Sequence, residues 1–421
     1  MIKKIVIICL INILIINCGL LYSIEPVNLN ALIEEAKKNN PDILAAKKRW
    51  DSSLARVPQA KSLEDPNIGV TFEKIPKGTL KIDKTMPEDR MLLVSQMFPF
   101  FGKLPLKGKI AVVESQMFAA EYKNKELEVI NNLKSAYYDL FMNYKEIQLN
   151  SQSLDFLEGI AKIAEAKYSV GQIPQEDVFK INLEIAKLDT DIANLQEENK
   201  AKQTRVNTLL NRDPESPLAE PDLQESVVFN KDINSLYKYA LENQPELLIF
   251  SYAIEKNKYA KDLAKKSFFP DLLAGIAQRG ITSGMIGPWD LMLSLSVPLW
   301  FWTKQRYQVK EAIANLDEAQ SAYLAMKNKA FRDVKDLAAK IEISKNKIKL
   351  YKANLIPMLE GSIASNMAGV SSGKTDFMML LDTERMLIET KMDYYKALVE
   401  YNMNLADLER MVGVELNEVK R

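Results

Sequence analysis

The chain has 421 residues, 27% of them charged and 47% hydrophobic, with 56 basic and 56 acidic side chains. Such a composition belongs to a folded chain and excludes both a disordered polymer and a bundle of membrane helices. Balanced charge excludes the net basic face of a nucleic-acid binder. The absence of His removes the usual general base and the commonest metal ligand.

Lys3 and Lys4 precede an apolar stretch from Ile5 to Ile16, and polar residues return at Ser23 and Glu25. That order reads as a secretory signal over residues 1–22. No other apolar stretch approaches the ~18 residues of a spanning helix, so the exported chain is expected to cross no bilayer as a helix. Cys9 and Cys18 both lie in or beside this segment, which leaves the mature chain without an internal disulfide. "IINCG" (Ile15 to Gly19) resembles a bacterial lipobox ending at Cys18; the alternative is cleavage near Ser23 with Cys18 discarded.

After Asn28 the pattern predicts a short helix and then a second from Asn40-Pro41 to about Lys61, with Pro in a favoured first-turn position. "NIGVTFE" (Asn67 to Glu73) alternates, with Ile68, Val70 and Phe72 on one face, and reads as a strand. A second strand is expected from about Arg90 to Phe98. From Leu106 to Lys167 there is no Pro, which as one helix would span roughly 90 Å. Ile130, Leu133, Tyr137, Leu140, Tyr144, Ile147, Ser151 and Leu154 keep strict 3-4 spacing, a coiled-coil seam broken only by Ser151. After "YSVGQIP" (Tyr168 to Pro174) a helix from Gln175 to about Leu210 completes a helical hairpin.

The order then recurs. "LIEEAKKNNPDIL" (Leu32 to Leu44) aligns with "LYKYALENQPELL" (Leu236 to Leu248) at an offset of 204, which also carries Pro66 onto Pro270. Gly171 meets Gly373 at an offset of 202. The expected organisation is a first repeat over 26–211, a Pro-rich and acidic linker over 212–230, and a second repeat over 231–415. The second repeat should hold two helices and a strand from about Asp271 to Gln278. A clear strand is expected in "WDLMLSLSVP" (Trp289 to Pro298), then a helix to about Asn366 kinked at Pro357. A turn near Gly369 to Gly373 and a helix from Thr375 to about Met411 follow.

Four strands make no closed structure alone. They can form a small soluble sheet, lie under the helices, or join strands of other subunits in a barrel. Phe98, Phe100 and Phe101 end the second strand, and Trp300, Phe301 and Trp302 end the fourth. Aromatics bunched at strand ends match the interfacial girdle of an outer-membrane barrel, although core plugs look alike. Lys103, Lys107 and Lys109 follow one cluster, Lys304 and Arg306 the other, where cations suit outer-membrane lipid head groups or the first turn of the next helix.

These features, with "SQMFPFFGKLPLKGKIA", "AKYSVGQIPQEDVFKINLEIAKL" and "VPLWFWTKQRYQVKEA", resemble the TolC family of outer-membrane efflux proteins over nearly the whole mature chain. The "PFFGK" form is most similar to the branch serving metal or drug pumps of the resistance-nodulation-division type. The resemblance implies a mainly α fold with a small β part: duplicated long helical hairpins forming a trimeric α-barrel tunnel, and four strands per chain in a 12-stranded transmembrane β-barrel. It implies a homotrimeric duct for small molecules or metal ions, in the outer membrane with its helices in the periplasm. A periplasmic adaptor (membrane fusion protein) would join it to an inner-membrane pump. The family's Tyr-x-x-Gly element, which helps receive the adaptor, falls on Tyr168, Val170 and Gly171. The second turn departs from the family pattern: Met367 or Val370 stands where an aromatic is usual, flanked by Gly369 and Gly373. The family closes its tunnel with acids near this turn, and Asp376 is the candidate gate. Three copies would form a negative ring that favours cations; equally, a carboxylate is favourable in any first helical turn.

Glu34-Glu35 and Glu197-Glu198 read as solvated helix faces. The 17 Met residues, Met378-Met379 among them, suit soft metal ions but are more simply core filler. No nucleophile–base pair, phosphate loop or metal constellation appears, so no enzyme, cofactor, metal site or nucleic-acid partner is expected. The rival class is a periplasmic coiled-coil scaffold or adaptor whose strands form a soluble domain.

Overall fold

The computed structural model describes residues 28–75, 77–78, 82, 85–223, 229–280, 287–372 and 376–416. The expected signal over 1–22 with Cys18, and Gly373 in the second turn, lie outside the described residues. Asn40 starts helix α2 (Pro41–Lys61) directly after α1 (Leu29–Asn39): its side-chain oxygen accepts the amides of Asp42 and Ile43. Strands β1 (Asn67–Phe72) and β2 (Arg90–Phe98) lead into α3 (Lys103–Ser169), a single helix of 67 residues, and α4 (Gln175–Leu209). The second half repeats the order with α5 (Ile233–Asn243), α6 (Pro245–Lys266), β3 (Asp271–Arg279), β4 (Trp289–Ser296), α7 (Gln305–Leu350), α8 (Ile356–Ser371) and α9 (Phe377–Val412). Between α7 and α8 the chain makes a π turn over Tyr351–Leu355. Pro357 has no N–H for the carbonyl of Ala353, and its ring would press on that carbonyl. A turn one residue wider removes the conflict where the sequence predicts a kink.

The described residues form two compact units, each drawing on both halves of the sequence. One takes them from Met1–Glu35, Lys134–Ser226 and Tyr351–Val399, the other from Ala36–Leu133, Val227–Leu350 and Glu400–Arg421.

In the first unit, α3 and α4 meet through polar as well as apolar contacts. Asn199 Nδ2 donates to Asn143 Oδ1 at 2.7 Å, Asn143 Nδ2 to the carbonyl of Leu195 at 3.2 Å, and Gln203 Nε2 to Asn199 Oδ1 at 2.6 Å. The expected heptad seam holds only in part. Ile130, Leu133, Tyr137 and Leu140 are buried, whereas Tyr144, Ile147, Ser151 and Leu154 are half-buried. Beyond Leu140 the buried row is Asn143, Asn150, Leu157 and Ala164, one position earlier in the heptad. From Leu157 on, α3 packs in one core with Val178 and Ile181 of α4 and Phe377 and Leu380 of α9, so two partners and not one seam set its buried stripe.

In the second unit the strands form one antiparallel sheet in the order β1-β2-β3-β4. Ile68, Val94, Ile276 and Leu291 pair in one row, and Phe98, Leu272 and Leu295 in another. With side chains alternating along each strand, these residues share a face. That face is apolar and open: Ile68 is 71% and Leu291 73% exposed. The other face carries Ser95, Gly275, Ser294 and Ser296, with Arg279 bonded to Asp290 at 2.7 Å and to Glu73 at 3.3 Å. Among the described residues β1 and β4 are each paired on one side only.

The joint from β2 to α3 is held by Asp271. Gly102 takes φ +91°, a left-handed turn that side chains resist, and lets the strand become a helix within four residues. Asp271 Oδ1 accepts the Phe100 amide and the Lys103 ammonium, both at 2.7 Å, and Lys103 also donates to the carbonyl of Phe269 at 3.0 Å. Lys103 is thus turned into the protein and not toward head groups, because a carboxylate and a carbonyl converge on it. Asp271→Ala would leave the Phe100 amide unpartnered and the largely buried Lys103 ammonium with the Phe269 carbonyl but no counter-charge. It is expected to cost about 1.5–3 kcal/mol, read as a lower melting temperature in detergent by circular dichroism. An unchanged melting curve would show that the joint does not rely on Asp271.

Candidate functional site

The first unit contains both hairpin turns. α3 ends at Gly171, whose φ of +72° lets its amide reach back to the Tyr168 carbonyl at 2.9 Å while the Gln172 amide reaches Lys167 at 2.9 Å. Tyr168 and Val170 point outward, Val170 with 67% of its surface exposed. The second turn is built differently. α8 continues through Ser371, so Gly369 lies in its last helical turn and not in the loop where the sequence reading puts it. Val370 is the cause: it is buried with Leu157, Ile160, Ile181, Phe377 and Leu380 in one core, against which Met367 packs. Lys167 Nζ bonds the Val370 carbonyl and lies 5.8 Å from the Phe377 ring centre, tying the two turns together. The second turn therefore presents no counterpart of Tyr168 at positions 367 or 370.

Three acids stand near these turns. Asp376 Oδ1 accepts the Met378 amide at 3.3 Å, at the start of α9. Asp177, in the first turn of α4, is buried. Burial, and then the negative charge of Asp376, push its carboxyl above the usual range, with Lys180 opposing. Glu384 is buried on α9, where Ser153 Oγ donates to it. Burial pushes Glu384 up; the Ser153 bond and Arg385 oppose the rise, and Glu184 adds to it. Arg385 pairs with Glu184 at 3.2 Å. Sequence reasoning found Asp376 and missed the other two. The signal for Glu384 was available: Leu380, Glu384 and Leu387 keep 4-3 spacing, which sets a carboxylate on the apolar stripe. Phe179 and Leu183, one turn apart on α4, were also missed, and both are exposed.

The aromatics at the strand ends belong to the second unit. Phe101 is 89% exposed, and Phe98, Trp300, Phe301 and Trp302 are also exposed. Trp300 and Phe301 each meet Trp302 edge to face, with centroids 6.0 Å and 4.9 Å away. Phe100 instead stacks on Phe269 at 4.4 Å, beneath the Lys266 ammonium. No described helix is long and apolar enough to cross a membrane. Among the described residues no group of three or more His, Cys, Asp or Glu is arranged to hold a metal ion.

The model of the family described as outer membrane efflux protein matches residues 32–212 and 236–414. The cobalt-zinc-cadmium resistance protein CzcC of Cupriavidus metallidurans is 19% identical over 389 residues, covering 92% of this chain and 90% of its own. The crystal structure of CusC, described as forming a transmembrane channel, superposes with a TM-score of 0.80 at 17% identity, over 94% of this chain and 95% of its own. That of the outer membrane protein VceC from Vibrio cholerae superposes with a TM-score of 0.77 at 16% identity, over 92% and 96%.

The acid on α9 gives a pH test. Glu384 has a raised pKa in the fold, so folding favours its protonated form. Its contribution is therefore greatest at acid pH and is lost as pH rises through the raised value. Glu384→Gln should flatten the fall in melting temperature as pH rises above the ordinary carboxylate range and raise the melting temperature at the alkaline end. An equal slope in both proteins would refute the burial argument.

Proposed function

The chain belongs to the outer membrane efflux protein family, and on that premise we propose that three copies close one barrel and form the outer duct of a tripartite export system. As a member it is a passive efflux channel of the outer membrane, with its helical part in the periplasm, and not an enzyme. The observation that carries the trimer is the sheet. Its open apolar face suits lipid, and two edges with unpaired backbone groups do not. Pairing β4 of one copy with β1 of the next satisfies both edges. A nine-residue strand such as β3, tilted as in such barrels, rises roughly 20–25 Å, close to their apolar band.

In this reading Phe98, Phe101, Trp300, Phe301 and Trp302 lie at the membrane boundary, and Phe100 with Phe269 braces the wall beneath it. Tyr168, Val170 and Gly171 receive the adaptor, with Phe179 and Leu183 extending the apolar surface. The buried Val370 makes the second turn a poorer docking site, so the adaptor's contacts with the two turns are unequal. Asp376, backed by Asp177, lines the closed end and favours cations. The relative's name mentions cobalt, zinc and cadmium; on that basis divalent metal ions are the first cargo to test, with the inner-membrane pump making the selection.

Two experiments test this. The full chain expressed in a Gram-negative host should appear in the outer-membrane fraction as heat-resistant trimers; a soluble monomer would overturn the duct. In planar bilayers Asp376→Asn should change conductance or lower the preference for cations over anions severalfold, and currents unchanged in both respects would remove Asp376 from the gate.

A further inference from the structure

A cleft of about 540 Å³ lies in the second unit among α2, α3 and α6. Its size falls within the ~300–1,000 Å³ of small-molecule sites. Leu104, Pro105, Val112 and Val113 give it an apolar wall, and Lys61, Lys109 and Tyr259 a polar one. Its charge is what separates it from a packing defect. The neighbouring lysines are neutralised: Lys103 by Asp271, Lys107 by Glu64, and Lys256 by Glu114. Lys61 and Lys109 have no carboxylate partner among the described residues. Lys109 Nζ sits 5.3 Å from the centre of the Tyr259 ring. Glu255, the one acid in the lining, accepts the Tyr259 hydroxyl at 3.2 Å.

Lys61 is directed by a glycine. A Cβ at Gly108 would lie 2.6 Å from Lys61 Cγ, so the lysine stem crosses α3 only because residue 108 has no side chain. A glycine inside a helix costs about 1 kcal/mol relative to alanine, and here it makes room for a cation that has no acidic partner among the described residues. Leu104 and Pro105 come after Phe100-Phe101 with two residues between, and Lys109 lies about 7 Å further along the helix. That is the depth of a head-group layer, which occupies ~5–8 Å on each side of the hydrocarbon core.

We propose that this cleft binds one anionic phospholipid of the adjacent leaflet, its phosphate held by Lys61 and Lys109 and its alkyl part covering Leu104, Pro105 and Val112. The inference rests on the reading that places the Phe98–Phe101 segment at the membrane boundary. The matched chemistries are a paired cationic patch for a phosphate diester and an apolar wall for an acyl chain. A zwitterionic lipid carries its own cation and gains less from the two ammonium groups.

Native mass spectrometry of the full-length channel in detergent, titrated with palmitoyl-oleoyl phosphatidylglycerol or the matching phosphatidylcholine, tests this. One phosphatidylglycerol per chain should be retained in preference to phosphatidylcholine. The double variant Lys61→Gln/Lys109→Gln should lower that retention about 30-fold, the factor expected for two cations beside an anionic head group. Gly108→Ala should lower it severalfold while leaving the helix no less stable, since it displaces the Lys61 stem. Equal retention of the two lipids, or phosphatidylglycerol retention unchanged by the double variant, would overturn the site. Single-channel recording on the unmodified chain separates the two readings. A conducting channel without lipid selectivity fails this inference alone, and a chain that forms no channel fails the barrel and the lipid site with it.

Discussion

In hydrocarbon every backbone N–H and C=O needs a partner from protein, since water is absent and each orphan costs several kcal/mol. A sheet of four strands answers that need along β2 and β3 and leaves it open along one side of β1 and one side of β4. The other features of the second unit follow from this. The apolar rows from Ile68 to Leu291 suit lipid only if the edges close. In the proposed barrel the sheet would have to end at a fixed height, marked by the exposed aromatics, and pass into helices that water can solvate.

The two passages from strand to helix solve the same problem with different means. After β2, Gly102 supplies a left-handed turn, and one carboxylate, Asp271, gathers an amide and an ammonium. After β4 there is no such glycine. The amides of Thr303 and Lys304 return to the Trp300 carbonyl, and three packed aromatic rings fill the corner. The two halves make the same passage over different lengths, four residues after β2 and eight after β4, and with different contacts.

The strands and helices were legible because their signals are local. Alternation in Asn67–Phe72 and Trp289–Ser296, the Asn-Pro and Gln-Pro helix starts, and the long stretch without Pro before Lys167 all act within a few residues. What could not be read depends on partners distant in sequence. Lys103 looked like a cation for head groups or for the first turn of α3 because nothing near it announces Asp271, 168 residues away. Gly369 looked like part of a turn because glycine favours turns. Val370, held in a core shared with α3 and α4, extends the helix past it. The seam over Ile130–Leu154 was half right for a related reason. A heptad count assumes one partner in one orientation, and the buried stripe of α3 moves beyond Leu140. At the turns, Asp376 was picked out by the family resemblance, which puts acids near the second turn, whereas the burial of Asp177 comes from packing that composition does not reveal.

The amide ladder between α3 and α4 restricts how this hairpin can move. An apolar seam tolerates sliding, because one methyl replaces another. Asn143, Asn199 and Gln203 do not, because each bond has a defined donor and acceptor. A slip of one helical turn, about 5.4 Å, would strand these amides at roughly 1–3 kcal/mol for each orphaned group. Shear along the pair is therefore opposed, while swinging of the two helices as one stiff lever leaves every bond intact.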